Sequence, residues 1–227
     1  MTIAVAVVAA AVVAALGPWA VAHLPEPTRP AEGKPLYVDI AHRRGARWWM
    51  VVPAAVAAGL VAWRVETVEI LPAWVLLCGV GGWLAFVDWH SHYLPFRITA
   101  PLYLGVWLLV GLAAVLLGDR DVAARALVAN VVVYLVFRLI YWVAARFLGG
   151  AFGFGDVRLA AILAVALGPL GREATLVGLY AGFVLGAVLG LVLQRLKVVA
   201  PGEIAFGPYL LAGAVVGAAW GPAFYGR

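Results

Sequence analysis

Charge is scarce in this chain. Only 12 % of its 227 residues are Asp, Glu, Lys or Arg, while 66 % are hydrophobic and mean hydropathy is +1.03. Soluble domains carry about 25 % charged residues, so a water-soluble globule is excluded. The chain reads as an all-α, polytopic membrane protein. Cysteine is nearly absent: Cys78 stands alone inside the apolar run LPAWVLLCGVGGWLAFV. One thiol excludes an internal disulfide and a paired-cysteine zinc site, and a small residue packed between helices is the reading that remains. Lysine is also rare, at 2 against 14 Arg. The alanine, valine and arginine bias points to a GC-rich bacterial genome. Net charge is +5, yet no basic stripe interleaved with exposed aromatics occurs. Nucleic-acid binding is therefore not expected, and the excess is assigned to the cytoplasmic side of a membrane protein.

Apolar runs broken by charge, Gly and Pro mark about eight spans, at 2–23, 47–64, 70–87, 98–117, 122–143, 157–170, 174–194 and 206–222. The first lacks a basic N-terminal region and is longer than a signal-peptide core, so it reads as a retained helix. The second contains Pro53, and Gly168-Pro169 closes the sixth. The loop at 24–46, rich in Pro and charge, is too short for a folded domain. Residues 1–227 thus read as a single integral membrane domain embedded in the lipid bilayer.

Orientation follows from Lys and Arg. Arg29, Lys34, Arg43, Arg44, Arg47, Arg97, Arg138, Arg146, Arg158, Arg195 and Lys197 flank the loops near 24–46, 88–97, 144–156 and 195–205, which is 11 of 16. By the positive-inside rule those loops are cytoplasmic and both termini face outward. The tryptophans, among them Trp48, Trp49, Trp63, Trp83 and Trp89, fit interfacial belts.

Two acids stand out. Asp88 ends the third span and Asp156 begins the sixth, with two spans between them, so the chain brings both back to one face. Acids at a membrane boundary are costly and mark a functional site by default. A close pair of carboxyls can share one proton: the ionised member takes a proton from water, and its protonated partner donates to the carbonyl under attack. The pair then titrates as a unit with two macroscopic pKa values. Asp156 closes Gly153-Phe154-Gly155-Asp156, where the glycines are expected to supply backbone freedom and close approach. An N-terminal cap is the plainer reading of that aspartate. His90 and His92 offer metal ligation with Asp88, but no third strong ligand accompanies them except Asp156, so no metal and no cofactor are expected. Arg158 is read as a headgroup anchor, Arg138 as a snorkelling residue, and Glu203 as a solvated loop acid.

These segments, AFVDWHSHYLP and GGAFGFGDVRLAAILAVALG, resemble the type IV prepilin peptidase family of membrane aspartyl proteases over a core of about 70–222. The resemblance pairs Asp88, followed by Leu94-Pro95, with Asp156. Asp156-Val157-Arg158-Leu159 is similar to the family's Asp-Val-Lys-Leu, and Phe206-Gly207-Pro208 to its FGP segment. It implies an aspartic endopeptidase of the bacterial inner membrane that removes a basic leader from a prepilin or pseudopilin at the cytoplasmic face, in a type IV pilus or protein secretion system. Two departures are plain. The paired-cysteine cytoplasmic domain of methylating members is missing, so N-methylation is not expected. Phe96 stands where the family often has Asp or Asn. Presenilin-type proteases are less similar, because no Pro-Ala-Leu motif occurs. Two other classes remain as alternatives: a proton-coupled transporter, in which the aspartates relay protons, and a non-catalytic membrane scaffold.

Overall fold

The computed structural model of the chain describes residues 2–26, 35–147, 152–199, 204–221 and 223. The elements in order are α1 (Ile3–Ala15), α2 (Gly17–Ala22), α3 (Tyr37–Ala41), α4 (Ala46–Arg64), α5 (Leu71–Ser91), α6 (Phe96–Leu117), α7 (Arg120–Phe147), α8 (Phe154–Leu167), α9 (Arg172–Arg195) and α10 (Gly207–Trp220). A short 3-10 turn, Gly168–Leu170, follows α8. No strand forms among the described residues. Each of the eight expected segments holds helix. Six are long and apolar enough to cross a membrane, counting α1 with α2 as one. The two shorter segments are α8 and α10, of 14 residues each.

Burial ranks the helices. In α5, 72 % of the apolar window is buried, against 22–28 % in the other five long helices, so α5 is the central post. Short α8 is equally enclosed, with Leu159 through Leu167 all at 6 % exposure or less. At 1.5 Å per residue it is about 21 Å long, less than the ~30 Å hydrocarbon core. A helix apolar on every side must be surrounded by other helices, and α6, α7, α9 and α10 all pack on α8. Buried Asn130 ties this group together: its Nδ2 donates to the Ala161 carbonyl (2.8 Å) and its Oδ1 accepts from the Tyr103 hydroxyl (3.0 Å).

The first span is bent between α1 and α2. Pro18 has no N–H for the Ala14 carbonyl, and free carbonyls are costly inside a membrane. The Trp83 indole supplies the missing donor, at 3.0 Å from the Ala14 oxygen and 3.2 Å from that of Val13. Trp83 therefore sits between α1 and α5 rather than in an interfacial belt, whereas Trp48, Trp49 and Trp63 are more than 60 % exposed.

Helices α9 and α10 meet along a seam of glycines. Gly178, Gly182, Gly186 and Gly190 recur every fourth residue on α9, and all four are buried. A Cβ on Gly213 of α10 would lie 2.5 Å from the Gly178 oxygen and the Gly182 Cα. Such small-residue faces let backbones touch where no hydrophobic effect drives helices together. The seam fixes the start of α10, which reaches the site below.

Candidate active site

Asp88 lies within the last turn of α5, not beyond it. The helix runs to Ser91, one turn past the expected end at 87, because polar side chains there bond back to it. Ser91 Oγ donates to the Val87 carbonyl (2.8 Å), and the His90 ring Nδ1 sits 2.8 Å from the Phe86 carbonyl. His92 then adopts a left-handed conformation (φ 57°) and its N–H closes on the Asp88 carbonyl at 2.8 Å. Histidine tolerates this region better than most residues. Pro95 is the cap of α6, so the expected loop contracts to His92–Pro95.

Asp156 occupies the third position of α8. Gly153, extended at φ −81° and ψ 144°, is the cap residue, so Asp156 is not the cap. Neither motif glycine has positive φ. The need is the close approach expected of them; the expected backbone freedom is not used, and that half of the reading is corrected. A Cβ on Gly155 would lie 3.0 Å from Leu94 Cβ, and one on Gly153 would lie 3.2 Å from Asp156 Oδ2. Leu94, 8 % exposed, thus packs from the segment after Asp88 onto the helix start that carries Asp156. Both carboxyls are buried, at 4 % and 9 % exposure, and Asp156 is within electrostatic reach of Asp88.

A third element completes the site. The Gly207 N–H, at the start of α10, donates to Asp88 Oδ2 at 2.9 Å. A Cβ there would stand 2.8 Å from that oxygen and 3.5 Å from Leu159 Cδ2. Sequence reading quoted Phe206-Gly207-Pro208 but gave Gly207 no role. The motif was the available signal, and its partner lay 119 residues away.

Arg158, read as a headgroup anchor, packs on two aromatic rings. Its guanidinium carbon lies 4.9 Å from the Phe96 ring centre and 4.8 Å from that of Phe154. Arg138 covers Phe154 as well, at 5.3 Å, and Tyr141 meets the same ring edge-on at 5.4 Å. Cations attract the faces of aromatic rings. Arg158 therefore bridges the residue after Leu94-Pro95 to the residue before Gly155-Asp156, and Phe96, where the chain departs from the resemblance, provides one half of that bridge. Among the described residues no cluster of three metal-ligating side chains occurs. Glu203, Arg29, Lys34 and residues 27–34 of the 24–46 loop lie outside the described residues.

The fold and site define a class: a helical membrane protein with two buried carboxyls brought to one end of a bundle, one of them held by a backbone N–H. A model of the type IV leader peptidase family matches residues 70–193, more than half of the chain, and the chain belongs to that family of peptidases. No curated protein and no solved structure matches it.

Proposed function

We propose that this protein is an aspartic endopeptidase that removes the basic leader from prepilin or pseudopilin substrates at the cytoplasmic face of a bacterial inner membrane. Asp88 and Asp156 form the acid–base pair. The observation that carries this reading is the convergence of two buried carboxyls, from α5 and α8, with the Gly207 N–H on Asp88 Oδ2. Two like charges buried near one another do not ionise together cheaply, and a single shared proton is the state this reading requires.

In the reaction the ionised carboxyl takes a proton from water as its oxygen attacks the scissile carbonyl. The protonated carboxyl donates to the carbonyl oxygen, and a proton then passes to the leaving amine. Gly207 orients Asp88, while Leu94 and Arg158 link the two acid-bearing segments. Both acids stand near helix ends rather than at mid-depth between broken helices, which favours the peptidase over a transporter.

The test is cleavage of a co-expressed prepilin by the native chain, Asp88→Asn and Asp156→Asn at matched membrane levels. Each substitution removes acid–base function while nearly preserving shape, and processing should fall by at least about 10²–10⁴-fold in both. Native-like processing by either variant removes that residue from the mechanism.

A further inference from the structure

We infer that the cleft between α4, α5 and α10 docks the apolar helix of the substrate and leads its cleavage junction to Asp88 and Asp156. The inference rests on the protease reading above and adds a binding surface to it.

The cleft has a volume of about 850 Å³ and almost wholly apolar walls. Small residues line it from three sides: Ala57 on α4, Gly81 and Ala85 on α5, and Ala212 on α10. Small side chains let an incoming helix approach closely. Helical register then connects the cleft to the carboxyl pair. On α5, Gly81, Ala85 and Asp88 fall at i, i+4 and i+7, one face of the helix. On α8, the lining residue Leu163 is seven residues after Asp156. On α10, the lining residue Pro208 directly follows Gly207. The three helices that supply Asp88, Asp156 and the Gly207 N–H each also line the cleft.

Length selects the occupant. The lining on α5 runs from Trp74 to His90, sixteen helical steps or about 24 Å at 1.5 Å per residue. One leaflet offers only about half of the ~30 Å hydrocarbon thickness. A phospholipid chain thus fills part of the cleft, whereas a spanning helix matches it. Arg43 and Arg44 line the end near His90. As like charges they turn a basic leader away from α4 and leave it on the side of the carboxyls.

The test uses the purified full chain in proteoliposomes and a synthetic substrate with a basic leader and an apolar helix of about 20 residues. Ala57→Trp and Ala212→Trp should each raise KM about tenfold with a much smaller change in kcat, the signature of lost docking. Leu108→Trp, on a residue of α6 that is 73 % exposed, should leave both constants unchanged. A photoreactive phenylalanine analogue replacing Ala212 in the Asp156→Asn protein should cross-link the substrate helix. Cross-linking of phospholipid alone, or unchanged KM in both tryptophan variants, overturns the inference. If those variants do not accumulate in the membrane, cross-linking from positions 57 and 212 decides. Continued cleavage by Asp156→Asn would sink the proposed pair instead, and the cross-link would still report on the cleft.

Discussion

Gly207→Ala adds a single methyl group at the point where α10 meets Asp88. Gly207 is the first residue of its helix and has no positive φ, so alanine needs no left-handed backbone there, although Pro208 after it crowds an added Cβ. The new Cβ, however, would sit 2.8 Å from Asp88 Oδ2 and 3.3 Å from its Cγ. Carbon–oxygen contact at that distance is repulsive, so the carboxyl must retreat by several tenths of an ångström. The 2.9 Å bond from the Gly207 N–H stretches with it. A hydrogen bond to a charged group contributes about 1.5–3 kcal/mol, and a misplacement of about 1 Å costs about 10²-fold in rate. We expect kcat for prepilin cleavage to fall about 10–100-fold, with KM within about twofold, because the altered contact acts on the reacting group rather than on docking. Thermal unfolding in detergent should show a folded variant, with a loss of stability no greater than that of the strained hydrogen bond, about 1.5–3 kcal/mol. Wild-type kcat in a folded Gly207→Ala protein would refute the assignment of Gly207 as the group that orients Asp88. A fall in kcat accompanied by a loss of stability well beyond that bond would reduce the effect to packing.

The bridge through Arg158 can be measured by a double-mutant cycle. Arg158→Lys keeps the charge but loses the planar group that stacks between two rings. With Phe96→Leu it should show a coupling of about 0.5–2 kcal/mol in kcat/KM, and simple additivity would return Arg158 to the role of a headgroup anchor. Gly213→Leu should destabilise the bundle by at least about 1–3 kcal/mol, because its side chain meets the backbone of α9. Gly111→Ala on α6 is the control: no atom lies within 4 Å of its added Cβ, and unfolding should be neutral or slightly delayed. Equal effects of the two glycine substitutions would contradict the seam.

Helix positions were legible because the hydrophobic pattern records them locally. The segment expected at 47–64 is α4 at Ala46–Arg64 despite Pro53, and that at 98–117 is α6 at Phe96–Leu117. The even number of spans between Asp88 and Asp156 was also enough to bring them to one end. Contacts between distant positions were not legible. Nothing local in Trp83 shows that it serves the carbonyl freed by Pro18, so a belt position was the natural reading. Of the two reasons given for the glycines of Gly153–Asp156, close approach holds and backbone freedom does not. Backbone freedom is a property of glycine alone, whereas the space they leave belongs to Leu94 and to the Asp156 carboxylate. Phe96 departed from the family pattern while Arg158 stood in a segment similar to it, and only their contact shows that the two positions meet.

The boundaries of the family match sharpen this point. Residues 70–193 contain both carboxyls, Leu94 and Arg158, yet they stop short of α10. The site nevertheless depends on α10, since Gly207 holds Asp88 and the packing of α10 on its neighbours, α9 above all, sets where that N–H lies. The glycines at every fourth position of α9 lie inside the match, and their neighbours are Leu210, Gly213 and Ala214 of α10 together with Ile204 and Phe206 just before it. The matched region thus carries the imprint of a helix it does not include. At the other end, α1 and α4 pack on α5, and α4 gives the cleft a wall that α5 and α10 do not supply. A fragment limited to 70–193 would contain both acids but would lack the donor to Asp88 and the two sides of the cleft that α4 and α10 supply. Such a fragment could match the family in sequence without assembling the site.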